Sequence, residues 1–186
     1  MKTDTQHTDD LIRLGQLIEN MTVALFINID GAGAVVSRPM APLEMDGGGA
    51  LWFFTDLRSS KIDHLSSVNV SFIDPSGGTY VSVSGYGEIY TGQEHIARLW
   101  TPLAKPWFPD GPDSQHLALL KVIPVTAEYW DASHSKMVRM FAMAASIAAG
   151  QPVAQGEHGT LTTLAGALPA DLSATPQKEY PWHLGA

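Results

Sequence analysis

Leu51-Trp52-Phe53-Phe54-Thr55-Asp56-Leu57-Arg58-Ser59-Ser60-Lys61 is the most informative stretch of the chain. Its first half, Leu51 to Thr55, predicts a buried aromatic strand, because bulky and β-branched side chains suit a packed, pleated surface. Its second half is a short polar turn ending in two hydroxyls and a lysine, at the mouth of a helix expected over Ser59 to Ser66. A helix start leaves backbone N–H groups unpaired and carries partial positive charge. With Arg58 and Lys61 close by, that end suits a phosphate. An apolar strand leading to an anion site fits a ligand with a flat ring and a phosphate tail. A core strand followed by a Ser-capped surface helix is the plainer alternative.

The rest of the chain frames that segment. Its 186 residues predict one domain with a sizeable core, and 45% hydrophobic with 16% charged residues is ordinary for a soluble globular protein. A net charge of −8 argues against nonspecific binding to nucleic acid or anionic membrane, which needs clustered Lys and Arg. The absence of cysteine excludes disulfides, thiolate metal sites, iron–sulfur clusters and cysteine nucleophiles. Met1 to Asp10 is polar, without a signal-peptide core, and no run approaches the ~20 apolar residues that span a bilayer. A cytoplasmic location is the expectation.

Residues 1–9 are expected to be disordered. Asp9 or Asp10 can cap a helix whose Leu11, Leu14, Leu17 and Ile18 share one face. Strands are expected over Met21 to Ile29, Ala34 to Met40, Ala50 to Thr55, Val68 to Ile73, Thr79 to Tyr90 and His116 to Trp130. Asp30-Gly-Ala-Gly33 and Asp74-Pro-Ser-Gly-Gly78 read as hairpin turns. Gly85 and Gly87 point to a bulge or a close backbone approach, and Pro124 to an edge or bulge position. Thr91-x-x-Glu94 is a capping-box pattern opening a helix through Ile96 and Leu99. A last helix is expected from Ser135 to Ala149, and residues 151–186 read as an extended arm or tail. Six strands joined mostly by hairpins favour a small antiparallel barrel over a doubly wound parallel sheet.

Several chemistries find no support. Gly31-Ala-Gly33 lacks the third glycine and helix of a dinucleotide fingerprint, and no P-loop is present. The histidines show no H-E-x-x-H or comparable spacing, so no metal site is expected. A G-x-S-x-G elbow is missing, and no carboxylate pair stands out. Trp107-Phe108, between two prolines, are large rings costly to leave in water, and they are expected to pack on this chain, a partner chain or a ligand. Trp130, at a strand end beside Asp131, reads equally as core or as pocket wall.

Taken together, Ser37-Arg-Pro-Met40, Trp52-Phe-Phe-Thr55 with Ser59-Ser-Lys61, Lys105-Pro-Trp-Phe-Pro-Asp-Gly111, Ala127-Glu-Tyr-Trp-Asp131 and Gly156-Glu-His-Gly159 carry a resemblance. In order and spacing the chain resembles the pyridoxamine 5′-phosphate oxidase-like FMN-binding split barrels, in their general stress protein branch. The resemblance implies a mainly β (α+β) fold, a six-stranded antiparallel split barrel with flanking helices, over residues 10–150. It implies a homodimer with FMN in each of two clefts at the subunit interface. Arg38 and Lys61 would face the phosphate, with Ser60 donating a hydroxyl. Pro39, Met40, Phe54 and Thr55 would line the ribityl chain and ring edge. Trp107 and Trp130 would approach from the second subunit.

The departures bear on activity. True oxidases of this type present an arginine and a histidine to substrate shortly after the tryptophan; here the stretch is Ser135-Lys-Met-Val-Arg139. Lysine lacks the planar fork that grips phosphate, so oxidation of pyridoxine phosphate is not expected. The implied role is an FMN-dependent oxidoreductase of unknown substrate. A non-catalytic flavin binder or stress-linked store is the alternative. A deazaflavin would suit the same anion site, whereas haem lacks a well-placed axial histidine.

Overall fold

The computed structural model describes residues 1–59, 62, 64–131, 157–162 and 164. The expected strands form as β2 (Ala24–Ile29), β3 (Val35–Met40), β5 (Leu51–Asp56), β6 (Val68–Asp74), β7 (Thr79–Tyr90) and β8 (Leu117–Asp131). Three further strands join them: β1 (Lys2–Thr3), β4 (Pro42–Met45) and β9 (Glu157–Leu161). The sheet order is β1-β4-β5-β8-β7-β6-β2-β3, with β9 also on β8. Only Ala41 separates β3 from β4, so the two ends of the path β4 to β3 are one run of chain. Counted as one strand, they close an antiparallel six-membered ring, the expected barrel.

Alternation builds the core. Leu51 and Phe53 of β5, Val70 and Phe72 of β6, Val81 and Val83 of β7, and Phe26 of β2 point inward at a period of two. The helix α1 (Asp9–Ile18) plugs one end with Leu11, Leu14, Leu17 and Ile18, the predicted face. Its cap is Thr8, whose hydroxyl accepts from Leu11 N at 3.3 Å, rather than Asp9 or Asp10. A smaller cluster lies outside the barrel, where Ile96 and Leu99 of α2 (Gln93–Leu99) cover Trp52, Leu117 and Leu119. The capping box is not made: α2 starts from Gly92 with no side-chain cap.

The barrel splits along β8. One edge of β8 pairs with β5 over Leu117 to Val122 and with β9 over Ala127 to Asp131. Pro124 falls in the gap between them, where its missing N–H costs no ladder bond on that side. The other edge bulges at Gly85, opposite Pro124. A Cβ on Gly85 would lie 2.0 Å from Ile123 O, so only glycine fits. Both readings of Pro124 hold.

Three expectations need revision. Residues 1–9, expected to be disordered, place Lys2–Thr3 parallel to Glu44–Met45, and the buried Gln6 donates to Asp4 O and Asp46 O. The stretch after Met40, where no strand is expected, is β4, bent by its register shift between Pro42 and Glu44. The helix expected over Ser59 to Ser66 does not reach its end: His64 has φ +56, and Leu65 and Ser66 form a turn. The helix expected from Ser135 to Ala149, Lys136 and Arg139 included, lies outside the described residues. So does most of residues 151–186, of which Glu157–Leu161 is strand.

Candidate ligand site

Pairing between β4 and β5 stops at Pro42 and Phe53. Beyond that point β3 turns away with β2, while Phe54 to Asp56 stay with β8. Among the described residues the edge of β5 facing β3 therefore has no strand partner from Phe54 onward, and the opening between the two strands is the candidate cleft.

Antiparallel partners share a face, so register places the side chains. Arg38 lies opposite Phe26 and Met40 opposite Ala24, which puts both on the inward side, while Pro39 between them is exposed. On β5, Thr55 shares the inward face with Phe53. Phe54 points outward, where it meets Trp100 (ring centroids 5.7 Å apart) and Phe108 (6.1 Å). Side chains of Phe54 and Thr55 thus serve opposite faces, and what the two can offer together is the open backbone edge between them.

Two polar groups here stand out. The Arg38 guanidinium donates to Asn28 Oδ1 at 3.1 Å. Among the described residues Arg13, Arg58 and Arg98 each reach a carboxylate, whereas Arg38 reaches none. Thr55 is fully buried, and its hydroxyl has no hydrogen-bond partner among the described residues. A buried hydroxyl left unpaired costs about 1–3 kcal/mol, so its persistence calls for an explanation. A cation and a buried hydroxyl that find no counter-charge and no partner among the described residues fit an anionic, hydrogen-bonding ligand.

The other expected residues fall elsewhere. Ser60 and Lys61 lie outside the described residues. Arg58 folds back on Asp56, donating from its backbone N (2.8 Å), Nε (3.0 Å) and Nη2 (2.6 Å). That grip holds the Asp56 carboxyl well below its usual range and engages Arg58 locally. Trp107 is 74% exposed and Trp130 44%. No contact among the described residues ties either ring to Arg38 or Thr55. Phe108, by contrast, packs on its own chain, as one of the expected options. Asn28 is a site residue that the sequence alone does not single out. Its signal is a lone amide at the inward register of an apolar strand, after Ala24 and Phe26.

A second polar cluster flanks the same strand run. Glu44, 1% exposed, accepts from Arg98 Nη1 at 2.7 Å and Nη2 at 2.8 Å. The Arg98 hydrogen bonds lower the Glu44 pKa despite burial, which acts the other way. His95 sits tilted against Trp52, with centroids 4.3 Å apart and planes at 50°, and its Nε2 lies 2.6 Å from Arg98 Nη2. The same Nε2 lies 3.4 Å from Glu44 Oε2. A cavity of about 500 Å³ lies elsewhere again, between α1 and the strand ends, lined by Arg13, Asn20, Ile73, Thr79 and Asp131. It does not include the cleft residues.

Comparison with known proteins converges on one family. Residues 9–154 match the family described as pyridoxamine 5′-phosphate oxidase like. Protein bli-3 of Neurospora crassa is 30% identical over 132 residues, 64% of this chain and 63% of that protein. The chain thus spans a little under two thirds of that curated relative. A general stress protein 26 from Jannaschia sp. CCS1 superposes with a TM-score of 0.67 at 23% identity, over 83% of this chain and 99% of that one. A general stress FMN/FAD binding protein from Xanthomonas citri does so at 0.58 and 26%, over 69% and 93%. With a split-barrel fold and a family match over residues 9–154, the chain belongs to the pyridoxamine 5′-phosphate oxidase-like family.

Proposed function

We propose that the chain is an FMN-binding flavoprotein that works as a cytoplasmic homodimer, as an oxidoreductase on a small molecule. The observation that carries this reading is Arg38, a half-buried guanidinium on the inward face that reaches no carboxylate among the described residues. A dianionic phosphate taken out of water needs such a cation and more than one donor. Arg38, with Lys61 and the Ser60 hydroxyl, would hold it. Thr55 and the free edge from Phe54 to Asp56 would orient the ring and ribityl chain, and Pro39 and Met40 would wall them. The described FMN/FAD binding of the Xanthomonas citri relative supports the choice of ligand. FMN, when bound, supplies the electron-transfer chemistry, and the protein supplies orientation and electrostatics. Trp107 and Trp130, both open to solvent in one copy, would close the cleft of the other.

Arg38, Asn28 and Thr55 include no group that exchanges protons readily near neutrality. This favours, as a second reading, a flavin binder or store with slow turnover. The deciding experiment is the visible spectrum of purified protein after adding FMN and dialysing. Retained flavin bands support the site, and their bleaching by NAD(P)H at a useful rate separates enzyme from store. A colourless product overturns the FMN reading and makes a deazaflavin the next ligand to test. Sedimentation equilibrium showing monomer with flavin bound would remove Trp107 and Trp130 from the cleft.

A further inference from the structure

The strand β9 closes nothing in the barrel ring, yet it is firmly built. It pairs with β8 from Ala127↔Leu161 to Asp131↔Glu157. Leu161 enters the core, Arg13 Nη2 binds Glu157 at 2.8 Å and Asp131 at 3.2 Å, and Thr162 N donates to Asp10 at 3.2 Å. Gly159 lies so close that a Cβ would come within 2.7 Å of the Tyr129 ring, which is itself covered by the Arg13 guanidinium. Every anchor lies on α1, the inward face or the strand backbone. The outward product of this arrangement is one contact: His158 lies flat on Trp130, centroids 5.0 Å apart and planes 24° from parallel.

Trp130 stands on an open sheet face, with Tyr80 on β7 opposite it on one side and His158 opposite on the other. A lone tryptophan there would sample several rotamers. One ring stacked against it removes most of that freedom and leaves its remaining surface in a fixed plane. We propose that His158 is a positioning residue for the flavin slot: it holds the Trp130 indole in the orientation that meets the ring of FMN in the partner's cleft. This rests on the shared-cleft reading above. His158 acts through Trp130 and is not a catalytic group. Its contribution is preorganisation, which strengthens binding by reducing what must be ordered when the ligand arrives.

The test is an FMN titration of the full chain, followed by flavin fluorescence, for wild type, His158→Ala, His158→Phe, Trp130→Phe and the Trp130→Phe/His158→Ala double variant. His158→Ala should weaken FMN about three- to tenfold, the scale of one aromatic pair. His158→Phe keeps a flat ring and should restore most of that loss. In the Trp130→Phe background, removing His158 should change affinity much less, because the two act as a unit. The tryptophan emission of the ligand-free protein should shift in His158→Ala and not in the double variant relative to Trp130→Phe. Wild-type binding with His158→Ala indistinguishable from it overturns this role alone. The role falls equally if His158→Phe fails to rescue, or if the loss persists in full without Trp130. Failure of the wild type to bind FMN overturns the flavin reading, and this role with it.

Discussion

The run from Val35 to Met45 carries a polar cluster near each end, and the two are built on opposite plans. At Glu44 a buried carboxylate meets a bidentate guanidinium, and His95 completes the cluster. At Arg38 a half-buried cation meets one amide, and the buried Thr55 hydroxyl finds no partner among the described residues. Burying a charge is tolerated only when it is paired and hydrogen-bonded. The Glu44 cluster satisfies that rule from within the chain, so it can fix α2 to the barrel. The Arg38 cluster leaves its needs open, which is what a binding site for something anionic requires before its ligand arrives.

The largest expected effect lies at the closed end. Arg98 is half exposed and Glu44 is not, so the two halves of the pair are unequal. Arg98→Ala strands a buried carboxylate and should cost roughly 3 kcal/mol in urea denaturation. Glu44→Gln releases a guanidinium that water can solvate and should cost about 1–2 kcal/mol. Neither should alter FMN affinity. The pH dependence sharpens the point. In the wild type the Glu44 pKa is lowered on folding from an ordinary value of 4.5, so its stabilisation is present above that pH. It is lost as pH falls through the folded value. In Arg98→Ala burial, which raises the pKa, is opposed only by His95, so the folded value should rise relative to wild type. The Glu44 contribution then shrinks, and what remains is lost at a higher pH than in the wild type. Parallel stability curves for the two proteins across the acid range would show that Arg98 is not what holds Glu44 charged.

At the open end, function and stability should separate. Arg38→Ala should weaken FMN by about 1.5–3 kcal/mol, the range for a charge-assisted hydrogen bond, and Lys61→Ala by a similar amount. Arg38→Ala should leave stability within about 1 kcal/mol of wild type, since only a neutral amide loses a partner. Measured by titration and by urea midpoint on the same samples, a large stability loss with unchanged binding would make Arg38 a second structural cation and erase the contrast.

How much of this can be read from residues follows the same division. The barrel is legible because alternation in Phe26, Phe53, Val70, Phe72, Val81 and Val83 encodes the inward face directly. Gly85 and Pro124 mark the split for steric reasons that act locally. Arg38 and Thr55 are reached through the family resemblance, and their state is not legible, because whether a polar atom has a partner depends on strands far apart in the chain. β4 escapes notice because Pro42 and Glu44 are poor strand formers; pairing with β5 overrides that preference. His158 reads as a surface histidine, since only the register of β9 on β8 brings it to Trp130. The helix expected over Ser59 to Ser66 rests on a local pattern, whereas His64, with φ +56, stands outside helical geometry.

The smallest effect is the most discriminating. Thr55→Val keeps shape and β-branching and removes only the hydroxyl, so packing in the barrel should hold. If that hydroxyl is unpartnered in the free protein, its loss removes a desolvation cost, and the ligand-free protein should become more stable by up to about 1 kcal/mol. FMN should meanwhile bind more weakly, by roughly 0.5–1.5 kcal/mol, because the ligand supplies the missing partner. Opposite signs from one substitution are the mark of a group kept for binding at the expense of folding. A Thr55→Val protein that is both less stable and unchanged in FMN affinity would mean the hydroxyl already serves the fold, and the cleft would then resemble the Glu44 cluster rather than oppose it.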